Sequence, residues 1–237
     1  MASKRLLIAS WVMLVIVTGA SGEAAHEGLV DPAKLAATLD LTEGGVRRWL
    51  DRLGVSGDGP PTERLLAVSL TGQPLMERHG ASSLVHVDAE LDSELRQPGM
   101  AVVLVHNHPA NAGLSAADTQ QLAKPGVAAI VAVGHDGSVF IASAGPRLNR
   151  DVFEVRQYAL AQAEVRKRLR GEWPSGRVSV AVSDAHFSHL VTLALAKANI
   201  VQYWFSLRGT GRESYEGARI VFSQVVVGAA AQLKRKG

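Results

Sequence analysis

The chain has 237 residues, 47% of them apolar, with 25 Lys and Arg against 22 Asp and Glu and a formal net charge of +3. That length carries one or two domains with a substantial core, and the composition argues against intrinsic disorder. Near-balance of charge is a poor match to a nucleic-acid binder, and the absence of cysteine rules out a disulfide framework and leaves His and carboxylates to hold any metal.

The first segment reads as a leader. Lys4 and Arg5 precede an apolar run from Leu6 to about Ala20, followed by Ser21, Gly22 and the acidic Glu23. A charged start, a short apolar stretch and a small-residue exit make residues 1–22 a signal peptide or a signal-anchor. Both place the body of the protein outside the cytoplasm, periplasmic, secreted or membrane-anchored; a start at Met13 would destroy the signal and leave the chain cytoplasmic. Setting aside Lys4 and Arg5 leaves 23 basic residues against 22 acidic, almost neutral.

Residues 23–60 form a short helical lead. Asp31 before Pro32 and Thr42 before Glu43 are N-terminal helix signals, and Gly54 is a stop, so helices are expected over Pro32–Leu39 and Thr42–Leu53. The pair has the outline of a helix-turn-helix, with Val46, Trp49, Leu50 and Leu53 on one face, and reads more readily as a plain helical hairpin. Gly57-Asp58-Gly59-Pro60-Pro61 is a break. Strands over Glu63–Leu70 and Pro74–Arg78, joined by Thr71-Gly72, predict a hairpin. Ser83–Val87 is another strand candidate, and an acidic helix is expected from Asp88 to Leu95, ended by Pro98-Gly99.

The run Ala101–Val105 is continuously apolar, as a central strand buried on both faces should be. It stops at the polar segment beginning with His106. A helix from Ala116 to about Leu122 follows, closed by Pro125-Gly126. Strands Val127–Val133 and Ser138–Ser143 flank His135-Asp136-Gly137, where Asp-Gly is a strong hairpin signal and His135 is expected to cap the turn. Beyond Arg150 the pattern is mainly helical: Phe153–Leu169, a break at Glu172-Trp173-Pro174-Ser175-Gly176, and Ser183–Ala198. A strand over Ile200–Leu207, a polar loop through Gly209–Tyr215 and a last helix over Ala218–Leu233 complete the chain. The expected class is α/β, a mixed sheet with packed helices.

The chemistry concentrates in His106-Asn107-His108-Pro109, then five residues, then Ser115-Ala116-Ala117-Asp118. Strand side chains repeat every two residues, so His106 and His108 can point the same way at the end of a buried strand. Asp118 falls in the first turn of the next helix, folded back toward that end. Two His and one carboxylate make a tripod for catalytic zinc with a fourth position for water. Ser115 and Asp118 also have the spacing of an N-cap and an acid at the third helical position, a purely structural device. Strand, His-x-His-Pro and Ser-x-x-Asp in this order favour a metal site.

This segment resembles the signature of the JAMM/MPN (JAB-domain) zinc metallopeptidases, Glu … His-x-His-Pro … Ser-x-x-Asp, over about residues 61–145. His-Asn-His-Pro, with one residue fewer between Pro and Ser than many members have, is most similar to bacterial branches found near phage and toxin systems. The resemblance implies a curved mixed sheet with cytidine-deaminase-like layering, a metallopeptidase core over 61–150 and a helical C-terminal extension over 151–237 packed on it. It implies that Zn2+ is bound by His106, His108 and Asp118, and that Ser115 stabilises the tetrahedral intermediate. It further implies an upstream acid as general base, which Glu63 at the head of the first strand matches; Glu77 lies on the second arm of the hairpin, and Glu90 and Glu94 on the acidic helix. The activity implied is hydrolysis of a peptide or isopeptide bond, with a protein or peptide substrate as partner, no nucleic acid, and membrane contact only through an uncleaved leader. A catalytically silent JAB-like binding module and a RadC-like nucleic-acid-associated role are the rival readings.

The remaining candidates read as structural. His186 and His189 stand three apart on a helix with no acidic partner beyond Asp184, a spacing more often packing than ligation. Trp173, Tyr203 and Trp204 read as packing residues. The Arg166–Arg170 run and the Lys234-Arg235-Lys236 tail read as solvated helix faces.

Overall fold

The computed structural model describes residues 29–55, 62–80, 87–97, 99–109 and 112–236. The leader, the Gly57–Pro61 break, most of the Ser83–Val87 candidate and Pro98 lie outside the described residues.

Six strands form one mixed sheet in the order β2-β1-β3-β4-β5-β6. They are β1 (Arg64–Ser69), β2 (Pro74–His79), β3 (Val102–His108), β4 (Val127–Gly134), β5 (Val139–Ala144) and β6 (Val201–Ser206). Only β3 and β4 run parallel; the other neighbours are antiparallel. The helices are α1 (Pro32–Thr38), α2 (Glu43–Arg52), α3 (Ala89–Leu95), α4 (Ala116–Gln120), α5 (Ala159–Glu172), α6 (Val180–Lys197) and α7 (Gly209–Lys236). The chain is therefore α/β, with helices on both faces of the sheet.

Strand alternation sorts the core into two layers. Leu65, Ala67, Leu104, Ile130, Ala132, Phe140 and Ala142 point to the face covered by α3, α5, α6 and α7. Leu66, Val68, Val103, Val105, Val131, Val133 and Ile141 point to the face covered by α1 and α2. Because both faces are covered, β3 is buried along its whole length, which is why it reads as an unbroken apolar run.

The helical hairpin α1–α2 belongs to this second layer. Leu35, Leu39, Val46, Trp49 and Leu53 are buried against the sheet, and the Trp49 indole donates to the Leu39 carbonyl at 2.7 Å. The residues that suggested a helix-turn-helix outline are thus spent on the core. The Asp31 side chain caps α1, and Gly54, at φ 70°, follows α2 in a left-handed conformation suited to glycine.

Four expectations are corrected. β3 does not stop at Val105 but continues through His108, because Leu65↔His106 on one side and His108↔Gly134 on the other keep it paired. The segment 209–215 is not a loop but the first two turns of α7, since Tyr215 packs among the rings of Phe205 and Phe222. Residues Phe153–Tyr158 are wound more widely than an α-helix, with the Gln157 amide reaching the Val152 carbonyl. The β4–β5 turn is capped by Asp136, whose carboxylate accepts from the Ser138 amide and hydroxyl; His135 is turned instead toward Asn107.

Candidate metal centre

His106 and His108 occupy the last turns of the pleat in β3, on the face shared with Leu104. Only 4% and 8% of their surfaces are exposed, so their orientation is imposed by packing rather than by solvent. Asp118 reaches them from α4. Its helix is capped reciprocally: the Ser115 hydroxyl accepts from the Asp118 amide at 3.2 Å, and the Asp118 carboxylate accepts from the Ser115 amide at 2.7 Å. The structural reading of Ser-x-x-Asp is therefore correct, and the cap is also what aims the carboxylate.

The donors converge. The two Nε2 atoms are 2.8 Å apart, and each lies 3.2 Å from one oxygen of Asp118. Nδ1 of His108 faces the Ala112 carbonyl at 2.9 Å. A carbonyl only accepts, so Nδ1 carries a proton, and a neutral His108 would turn the lone pair of Nε2 toward the centre. Two imidazoles and a carboxylate gathered this closely suit a shared cation, either a proton or a metal ion. Zinc with ligands at about 2.0–2.1 Å in a tetrahedron spaces them by about 3.3 Å; each imidazole stands about that far from its own carboxylate oxygen, and the two Nε2 atoms are closer together. The residues present fit the metal.

The electrostatics describe the centre with a proton as the shared cation. Burial alone would raise the pKa of Asp118, but the charge and hydrogen bond of His106, together with His108, hold it well below the usual carboxylate range. Burial would lower His108, and it is outweighed by the hydrogen bond and charge of Asp118, the Ala112 carbonyl and the charge of Glu63, so His108 is raised.

That last contribution puts Glu63 within electrostatic reach of His108. It stands one residue before β1 rather than within it. Continued past its last pair, Leu65↔His106, the β1–β3 register would bring Glu63 opposite His108, on the face of Leu65 and the two histidines. Two of the other acids are engaged elsewhere. Glu77 pairs with Arg64 and His79 on the outer strand, and Glu90 pairs with Arg78 on the surface.

Supporting residues surround this centre that sequence reading did not single out. The Thr119 hydroxyl donates to the Ser115 carbonyl at 2.7 Å. Tyr158 is hydrogen-bonded to Thr119 behind Asp118, and its hydroxyl is pushed up to about 12, chiefly by burial. Gly113 packs the Ala112–Ser115 segment onto α6 so closely that a Cβ there would sit 2.9 Å from the backbone nitrogen and Cα of His189. Asn107 is wholly buried on the opposite side of β3 from the histidines. Of these, only Asn107 had a signal in the sequence: a polar residue at the odd position of a doubly buried strand needs partners.

The second histidine pair is packing. His186 bonds the Ser214 hydroxyl at 2.9 Å and His189 the Tyr203 hydroxyl at 2.9 Å, within a nest of Phe205, Tyr215 and Phe222. Among the described residues, His106, His108 and Asp118 are the group that could hold a metal. No helix of the described residues is long and apolar enough to cross a membrane. Comparison with protein-family models, curated proteins and solved structures finds no match to this chain.

Proposed function

We propose that this chain is a zinc-dependent metallopeptidase of the JAMM/MPN (JAB-domain) type that hydrolyses a peptide or isopeptide bond. One observation carries the reading: His106, His108 and Asp118 converge within 2.8–3.2 Å, with Glu63, just before β1, close enough to add its charge to His108. The mixed sheet with a covered face on each side supports the finer fold assignment, with the core over 61–150 and the extension over 151–237. In this reading the leader-like segment 1–22 exports or anchors the body, and the substrate is a protein or peptide outside the cytoplasm.

Zinc held by His106, His108 and Asp118 would lower the pKa of a coordinated water toward neutrality and polarise the substrate carbonyl. The chain's own groups do the remaining work. Glu63 takes the proton of the attacking water and returns it to the leaving amine. The Ser115 hydroxyl accepts in its cap and so keeps its own hydrogen to donate to the oxygen on which charge develops. Nδ1 of His108, tied to the Ala112 carbonyl, keeps its ring from turning.

Elemental analysis of the purified chain tests the first half: about one zinc per chain is expected, lost in Asp118→Asn. Cleavage of an internally quenched peptide library, with Glu63→Gln as control, tests the second. A parent that binds no metal after zinc reconstitution overturns the reading in favour of a silent binding module.

A further inference from the structure

Asn107 stands between the two metal-site histidines in sequence, yet alternation sends its side chain to the other face of β3, toward Val103 and Val105. It is wholly buried, and every polar atom it carries is used. Its Oδ1 accepts from the Arg64 amide at 2.7 Å. Its Nδ2 donates to the Thr62 carbonyl at 2.9 Å and lies 3.0 Å from Nε2 of His135.

The first two bonds go to the peptide groups on either side of one residue, Glu63. Backbone pairing of β1 with β3 is registered only as far as Leu65↔His106. Beyond that point the Asn107 amide replaces the ladder, presenting an acceptor and a donor side by side as a peptide group would. On the other side, the Gly80 amide donates to the Glu63 carbonyl at 2.9 Å. Glu63 is thus held from both neighbouring strands although it lies outside the strand itself.

We infer that Asn107 is a positioning residue for Glu63: it clamps the Thr62–Arg64 backbone so that the Glu63 side chain stays across from His108. The inference rests on Glu63 being the proton carrier of the proposed peptidase. Through one residue type in one place, the strand that supplies both metal-site imidazoles also sets the base against them. Asp can keep the Arg64 bond but has no hydrogen for Thr62; Ala keeps neither.

The test uses the full zinc-loaded chain, with Asn107→Ala and Asn107→Asp beside Glu63→Gln. Amide hydrogen exchange is the readout that does not need activity. The Arg64 amide, protected in the parent, should exchange at least about tenfold faster in Asn107→Ala and fall between the two in Asn107→Asp, while β4 protection and zinc content stay at parental values. On a peptide chosen from the library by the parent, kcat should fall on the order of 10²-fold in Asn107→Ala with KM within about twofold, as expected for a misplaced base rather than lost binding. Unchanged Arg64 exchange in Asn107→Ala overturns the clamp. Loss of zinc, or a rise in KM with kcat kept, overturns the link to Glu63. If β4 protection also collapses in Asn107→Ala, Asn107→Asp decides by the same three readings. A parent that holds zinc but cleaves nothing in the library defeats the peptidase reading instead, and the Arg64 exchange still decides the clamp.

Discussion

Two closely spaced histidine pairs are buried among the described residues, and their surroundings differ. His106 and His108 are two apart on a strand; His186 and His189 are three apart on a helix, and each pair points both rings to one side. What separates them is the third partner. The strand pair meets Asp118, delivered by a capped helix, and its nitrogens gather within 3.2 Å of carboxylate oxygens. The helix pair meets Ser214, Tyr203 and aromatic rings, so burial goes uncompensated by negative charge and pushes His189 down to about 3, helped by His186. Proximity of two imidazoles is therefore a weak sign of a metal site. A buried carboxylate within reach is the strong one.

The largest test of this contrast is to empty one pair and then the other. His106→Ala/His108→Ala should take zinc from about one per chain to none and abolish turnover, read by elemental analysis and peptide cleavage; His186→Phe should leave zinc unchanged. A zinc content that follows His186 would reverse the assignment. Next in size, Glu63→Gln should keep the metal and lower turnover at least about 10²-fold. Parental turnover in that variant would move the base elsewhere.

The helix pair should act on stability instead. His189→Ala opens a cavity in a wholly packed nest and should cost about 3 kcal/mol in urea unfolding, with zinc content retained. His189 should also make stability fall in acid. In the folded protein it is neutral down to about pH 3, whereas the unfolded chain takes up a proton below about 6.5. Its contribution is complete above that value, is lost progressively as pH falls, and levels off below the folded pKa. The ceiling is about 1.4 kcal/mol per pH unit, so between pH 7 and pH 5 the parent should lose about 2 kcal/mol more than His189→Phe. Equal losses would show that His189 is not held neutral.

The smallest expected effect falls where the two pairs meet. Gly113 lets the Ala112–Ser115 segment lie against the backbone of His189. A methyl group there would press on the backbone and Cβ of His189, so Gly113→Ala should shift the segment, cost about 1 kcal/mol, and weaken zinc binding by loosening the Ala112 carbonyl from His108. Zinc affinity equal to the parent would mean that the metal centre does not lean on α6.

Much of this was legible in the chain. The doubly buried β3 is a run of Val and Leu, the β4–β5 hairpin is announced by Asp136-Gly137, and the His-x-His and Ser-x-x-Asp spacings name the ligands, because strand and helix periodicities are local properties. The helical start of α7 was not legible. Gly209, Gly211 and the charges around them favour a loop by themselves, and it is the packing of Tyr215 into the α6 and β6 rings that stabilises helix there. Nor could the role of His135 be read locally, since its partner Asn107 lies 28 residues away.

From the sequence by itself came the class of the fold, the order of most elements and the three residues able to hold a metal, all of which follow from side-chain periodicity and ligand chemistry. Tertiary structure alone decided that His106, His108 and Asp118 converge, that Glu63 precedes β1 beside the strand of the histidines, and that Asn107 bonds the peptide groups on either side of it. These depend on β1–β3 register and on the seating of α4, which join residues more than 40 positions apart in the case of Asn107 and Arg64, and no local pattern encodes such a distance.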